Sequence, residues 1–273
     1  EAGTGLSGVA LLGNAYGEIN TAYAGDLQGN LWRFDLSDTR PDRWDVGLSG
    51  NPLFVAKDDD GDRQPITSAP TLGFNSLKRH TVTDSKGVIM VYFGTGKYFE
   101  NSDNLATADT PQNSFYAIAD LGAELDYTSN AGQDGRTSIL HEKDIIQETG
   151  SRTIDGQDRN EPDWTDADVN GWFIDFDTAL GERVVSKPLL LFDRLIFPTL
   201  IPSGVACEFG GRSWLMELVA IGDRYYGENL LGGIEEYDSL ILGDPTFGVV
   251  GQGAGKLILN PSDGGVNGQD GEI

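Results

Sequence analysis

Residues 23–36 read YAGDLQGNLWRFDL, and the way this stretch alternates, turns and later returns decides the fold. From Leu31 to Leu36 the bulky side chains Trp32, Phe34 and Leu36 fall on one face and Arg33 and Asp35 on the other. That two-residue period marks a half-buried strand. Residues 21–25 read as its partner strand and 26–30 as the connection, with Gly29 free to take the positive φ a hairpin turn needs. Asp26 is placed to accept backbone N–H groups across that turn, a structural role.

The pattern recurs. RSWLMEL at 212–218 matches NLWRFDL at 30–36, with Trp214 for Trp32, Met216 for Phe34, Glu217 for Asp35 and Leu218 for Leu36. A looser copy, SFYAIAD, lies at 114–120. The second and third copies follow strand-like runs, VIMVYF at 88–93 and LIFPTLI at 195–201. Repeated aromatic-and-acid hairpins of this kind predict an all-β propeller, whose blades are small antiparallel sheets unable to bury their own faces. VIMVYF, apolar on both sides, suits a strand packed between neighbouring blades. The copies are spaced at about twice the roughly 40–50 residues of one blade. Each interval therefore holds two blades or one blade with insertions. Residues 1–260 are read as blades, and the glycine-rich stretch 261–273 as a flexible tail.

A chain of 273 residues with 43 acidic and 19 basic side chains carries a formal charge of −24. Such a field repels polyanions, which argues against nucleic acid and against a bare anionic membrane as partners. It suits divalent cations or a basic protein. The apolar runs fall far short of the roughly 20 residues a spanning helix needs. No initiator Met or signal peptide is present, so the sequence reads as a processed or excised fragment. Cys207 is the only cysteine, and as a nucleophile it would need an activating base; the two histidines, His80 and His141, lie in polar stretches. A catalytic role for it is disfavoured.

Residues 57–63, KDDDGDR, form a turn signal, and the two prolines in QPITSAPTLGF at 64–74 place that run at the edge or entrance of a sheet. From 121 to 170 the composition shifts to Asp, Gly, Ser and Thr, with only 137–147 holding an ordered apolar pattern. This stretch is read as a long polar surface insertion, the place where a rigid scaffold displays its function. Strands resume at GWFIDF (171–176) and continue through ERVVSKPLLLF and LIFPTLIP.

The best metal candidate is Asp166-Ala-Asp168-Val-Asn170-Gly171, with oxygen ligands at the first, third and fifth positions and glycine at the sixth. Calcium loops use that spacing because alternate residues point to one ion and glycine permits the sharp turn. The competing reading is an acidic loop closed by an Asn-Gly turn. Asp58, Asp60 and Asp62 alternate too, but without the glycine where a calcium loop needs it, and a solvated hairpin turn is favoured. There is no GxGxxG, phosphate loop, Cys/His zinc set or GxSxG elbow.

Taken together, YAGDLQGNLWRFDL, QPIT at 64–67, YFGTGKYF at 92–99, SFYAI at 114–118, GWFIDF with GER at 181–183, and CEFGGRSWLMEL at 207–218 resemble a known family. The chain is similar to the C-terminal propeller of the PilY/PilC type IV pilus biogenesis and tip-adhesin proteins, from about residue 4 to about residue 220. The resemblance implies a portion of a modified seven-bladed β-propeller with long loop insertions, of which these are the later blades. It implies a non-enzymatic protein, secreted through the periplasm to the pilus tip or outer membrane. There it would work with minor pilins in assembly, control retraction, support twitching motility, and attach to a host or abiotic surface receptor. Several members carry a calcium loop of the form DxNxDGxxD just before the YAGD strand. The matching positions here are Leu12, Asn14, Tyr16, Gly17 and Asn20, with Glu18 between, so calcium is not carried over to them. Two other classes stay open. One is a quinone-cofactor dehydrogenase, although the adjacent cysteine pair often found at that cofactor is missing. The other is a glycan-binding or glycan-cleaving propeller.

Overall fold

The hairpin at the YAGD stretch forms as its sequence dictates. In the computed structural model β1 (Leu6–Gly13), β2 (Ile19–Asp26) and β3 (Asn30–Asp35) run antiparallel, and β4 (Asp45–Val46) and β5 (Phe54–Val55) both add to β3. The structure describes residues 4–79, 87–107, 110–127, 134–148, 151–155, 160–204, 211–223, 235–237, 242, 244–250, 254–259 and 271–272. Asp26 is 2% exposed and closes the turn: Oδ1 accepts from the N–H groups of Gln28 and Asn30, and Oδ2 from Asn30 Nδ2 and the Trp32 indole. Gly29 has φ +77°, and a Cβ there would lie 2.7 Å from the Gln64 carbonyl oxygen. Only glycine satisfies both constraints.

The second sheet starts with β6 (Thr71–Asn75), β7 (Val88–Gly94) and β8 (Ser114–Asp120), all antiparallel. The chain then makes β9 (His141–Lys143) and the hairpin of β10 (Ile145–Glu148) and β11 (Ser151–Ile154) before β12 (Gly171–Asp175). β12 pairs antiparallel with β8, and β9 pairs parallel with β12, giving the order β6-β7-β8-β12-β9. The third sheet contains β13 (Leu189–Leu191), β14 (Arg194–Pro198), β15 (Ile201–Pro202), β16 (Gly211–Val219) and β17 (Glu235–Tyr237). A small terminal sheet contains β18 (Thr246–Val250), β19 (Ala254–Leu259) and β20 (Gly271–Glu272). β20, within the stretch read as a flexible tail, pairs with β19. Among the described residues there is no α-helix, and no helix is long and apolar enough to cross a membrane.

The three sequence copies are β3, β8 and β16, each the third strand of its own sheet. Of the two readings of the spacing, one blade with insertions per interval is the one observed. β7 shows why the blades need one another. Met90 and Tyr92 face Leu195, Phe197, Trp214 and Met216 of the third sheet, whereas Val91 and Phe93 join Tyr23, Leu31 and Phe54 of the first. Phe115 stacks on Phe197 with ring centroids 3.9 Å apart, and Phe54 lies 5.2 Å from Tyr116. Each fully buried side chain of this size stabilises the stack by about 1.5–3 kcal/mol.

One detail of the alternation is corrected. The face of β3 that packs on the second sheet carries Leu31 and Arg33; Leu31 is fully buried, while Trp32 and Phe34 are half-buried on the opposite face. On that opposite face Val9 and Leu11 are 51% and 56% exposed. An uncovered apolar blade face is what an incomplete ring of blades presents.

The reading of 121–170 as a polar surface insertion also needs correction. Four of its apolar residues are buried: Leu125, Tyr127 and Leu140 pack with the first two sheets, and Trp164 with the second and third. β9 extends the second sheet. Two arginines tie the segment down. Arg136, fully buried, donates to both carboxylate oxygens of Asp175, pairs with Asp134 and lies over the Phe173 ring at 4.3 Å. Arg152 binds Glu182 at 2.6 and 2.7 Å and covers the Trp214 ring at 4.3 Å. Composition hid these anchors because sparse apolar and charged residues, each used fully, hold a segment that averages polar.

Candidate cation loops

Three loops bear on a cation: the β1–β2 turn, to which the resemblance does not carry calcium over, and the acidic motifs at 166–170 and 58–62. The first joins β1 to β2. Asn14 Oδ1 accepts from the N–H groups of Tyr16 and Glu18, and its Nδ2 donates to Glu18 Oε2 at 2.8 Å. The backbone closes the same turn through Asn14 N to Glu18 O and Gly17 N to Asn14 O, with Gly17 at φ +81°. Calcium wants six to eight oxygens, several of them anionic. Here a single carboxylate is present and the amide is consumed, so these residues do not fit the ion.

The second loop carries Asp166, Asp168 and Asn170. Asp166 Oδ1 accepts from Asp168 N, and Asn170 Nδ2 donates to the Asp168 carbonyl, so the motif folds into a short self-bonded turn. Lys78, 88 residues earlier, inserts its ammonium onto the carbonyl oxygens of Asp166 at 2.8 Å and Ala167 at 3.2 Å. Burial lowers the Lys78 pKa, and the nearby carboxylates of Asp166 and Asp168 oppose that shift. A tethered cation therefore already sits against this loop. Among the described residues no three His, Cys, Asp or Glu side chains gather as a metal site requires. Asn170 is buried and its Oδ1 has no hydrogen-bond partner, and the lysine that sits against this loop carries no local sequence signal.

The third acidic turn, residues 57–63, is a structural hairpin. Lys57 and Arg63 bridge antiparallel, Asp58 Oδ1 accepts from Asp62 N, and Gly61 takes φ +89°. Burial and the neighbouring acids push the Asp58 carboxyl up, with the Asp62 N–H bond opposing. The glycines of residues 94–96 serve close packing: a Cβ on Gly94 would lie 2.2 Å from Val184 Cβ, and one on Gly96 2.4 Å from Arg183 Cβ. Cys207 and His80 lie outside the described residues. His141 is half-buried on β9.

Stacked five-stranded blades with buried aromatic faces, joined by anchored insertions, define this chain as part of a β-propeller. It belongs to the PilY1 β-propeller family: the model of the PilY1 beta-propeller domain matches residues 1–149. Type IV pilus biogenesis factor PilY1 of Pseudomonas aeruginosa PAO1 is 32% identical over 243 residues, covering 78% of this chain and 20% of the relative. A PilY1 homolog of Xylella fastidiosa Temecula1 is 33% identical over 228 residues, covering 79% of this chain and 14% of the relative. The crystal structure of the Pseudomonas aeruginosa PilY1 C-terminal domain superposes with a TM-score of 0.69 at 25% identity, covering 94% of this chain and 59% of that one. The chain thus spans a fifth or less of the length of these curated relatives. Both are named as biogenesis factors, not as enzymes.

Proposed function

We propose that this propeller segment works in type IV pilus biogenesis as a non-enzymatic module at the cell surface, on the pilus tip or the outer membrane. The similarity to PilY1 proteins across more than three quarters of the chain carries this reading. The physical role follows from the packing. Three blades share two aromatic interfaces, and the insertion is pinned by Arg136 and Arg152, so the surface it presents is held in one shape. A rigid surface binds without a large ordering cost. Its partners are minor pilins during assembly and a host or abiotic receptor during attachment, and through them it controls retraction and twitching.

The test is deletion of the gene in its own host and complementation with the full-length protein, wild type or Arg136→Ala. Loss of surface pili and twitching on deletion, restored by wild type and not by the variant, supports the reading. Unchanged piliation in the deletion strain overturns it. Immunogold labelling of sheared pili then decides between tip and membrane.

A further inference from the structure

A cleft of about 800 Å³ opens where the turn after β6, the end of the insertion and the turn after β16 meet. We infer that this cleft is a docking groove for an extended protein segment carrying an apolar side chain flanked by Lys or Arg. Its volume lies within the range of preformed binding sites. The apolar lining consists of Leu77, Leu121, Pro162, Trp164 and Ala167, with Leu77 52% exposed at the surface and Trp164 almost fully buried at 5%.

The walls come from distant parts of the chain and are locked together. The Trp164 indole donates to the Ile221 carbonyl at 3.0 Å, the Trp172 indole donates to the Ala220 carbonyl at 3.1 Å, and Lys78 binds the carbonyls of Asp166 and Ala167. A groove tied across two blades keeps its shape without a ligand, so a partner bears little reorganisation cost.

Charge selects the occupant. Asp166 and Asp223 line the cleft, and Glu161, Asp163 and Asp168 adjoin them in sequence; Asp163, Asp166 and Asp168 are exposed. Burial and the Glu161 carboxylate push the Asp223 carboxyl up, with Lys143 opposing. Of the two cations on the lining, Lys78 is 3% exposed and turned onto backbone carbonyls, leaving Arg79 at the surface. The chain as a whole carries −24. An acidic rim over an apolar floor rewards a cationic group placed beside an apolar one. This inference rests on the cleft's shape and charge, not on the pilus assignment.

The probe is acetyl-Gly-Lys-Leu-Lys-Gly-amide, titrated into the isotopically labelled protein while the Trp164 indole N–H resonance is followed. Glu-for-Lys and Ser-for-Leu versions of the peptide serve as controls. A saturable shift below about 1 mM peptide is expected, weakened at least about fivefold by 0.5 M salt, by Leu77→Ser and by Ala167→Arg. Both substituted residues are exposed, so both variants keep the fold. No saturable shift, equal binding of the Glu peptide, or unchanged binding by Ala167→Arg each overturns the inference. A shift that grows with protein concentration alone assigns the groove to a second copy and overturns it as well. Because the readout is binding to the protein itself, normal pili in a deletion strain would leave the result standing.

Discussion

Tyr23 donates its phenolic proton to Asp120 Oδ2 at 2.5 Å, across 97 residues, and Arg33 Nε meets the same oxygen at 2.9 Å. Tyr23 and Arg33 belong to the first blade's hairpin and Asp120 ends the third strand of the second, so this cluster joins two blades at a buried carboxylate. Tyr23→Phe removes one donor while leaving Asp120, 7% exposed, with Arg33. The expected loss is about 1–2 kcal/mol in urea unfolding, with the m-value unchanged. Asp120→Asn is expected to cost more, because Arg33, 26% exposed on its side chain, then loses its countercharge. Equal stability of Tyr23→Phe and wild type would mean the bond does not hold the blades together.

Tyr23, Tyr92, Tyr116 and Tyr127 all have phenols pushed above their ordinary pKa, first by burial. For Tyr23 the Asp120 carboxylate adds to the effect and Arg33 opposes it. A phenol that holds its proton in the folded state but loses it when unfolded near pH 10 contributes stability that is full below that pH. The contribution is lost as pH rises above it. Stability is therefore flat from neutrality to about pH 9.5 and falls beyond it, by up to about 1.4 kcal/mol per pH unit for each such tyrosine. Thermal melts between pH 7 and 11 check this, and Tyr92→Phe should make the fall shallower. Tyr92 suits the test because its buried hydroxyl has no hydrogen-bond partner.

The repeated hairpin was legible because each copy writes its alternation and turn within about a dozen residues. The side-chain bonds of Asp26 and the positive φ of Gly29 need only their immediate neighbours to be understood, whereas the close approach of Gln64 to Gly29 does not show in the local sequence. The topology of β9 and β12 was not legible: GWFIDF is apolar enough to pair with any strand, and nothing local says that it returns to β8. The surroundings of the metal motif were hidden for a related reason. Asp166, Asp168 and Asn170 have the spacing of a calcium loop, yet what sits against their backbone is Lys78, far away in sequence. Local physics can be read from a local window, while long-range pairing cannot.

Gly25 tests how tightly the first two blades are set. A Cβ there would lie 2.2 Å from Ile66 Cγ2, in the buried wall beneath the hairpin. Gly25→Ala should therefore cost about 1–3 kcal/mol through overpacking. The combination with Ile66→Ala, which removes the Cγ2 methyl that the new Cβ would strike, should be less destabilised than the sum of the two single variants. If Gly25→Ala melts like wild type, the contact yields more easily than close packing implies.

Arg152 and Glu182 form an ion pair whose side chains are both fully buried. Removing one partner leaves an uncompensated buried charge, at a cost of about 3–5 kcal/mol. Arg152→Met and Glu182→Leu should each destabilise on that scale, whereas the double variant should come close to wild type because neither charge then needs solvation. Arg152→Met should also free the insertion, so that limited proteolysis cuts within residues 121–170 before the blades. A double variant as unstable as the sum of the singles would show that the arginine's packing on Trp214, not the pair, carries the energy.

Calcium is expected to leave this chain unmoved, because the β1–β2 turn offers a single carboxylate and the Lys78 ammonium already sits against the 166–170 loop, where Asn170 Oδ1 is the buried oxygen left without a hydrogen bond. An ion bound only to the folded state with a Kd of about 10 μM would add about 2.7 kcal/mol at 1 mM, an easily measured rise in Tm. The expected result is no such rise with calcium, no fall with chelator, and flat titration calorimetry for wild type and for Asp166→Ala/Asp168→Ala. Lys78→Met separates the explanations. Without its ammonium, the carbonyls of Asp166 and Ala167 lose their donor, and the loop should melt locally and exchange its amides faster. Calcium binding that appears only in Lys78→Met would show that the lysine holds the cation's place. Binding in wild type that Asp166→Ala/Asp168→Ala abolishes would show instead that the loop opens to admit the ion and that the Lys78 contact yields to it.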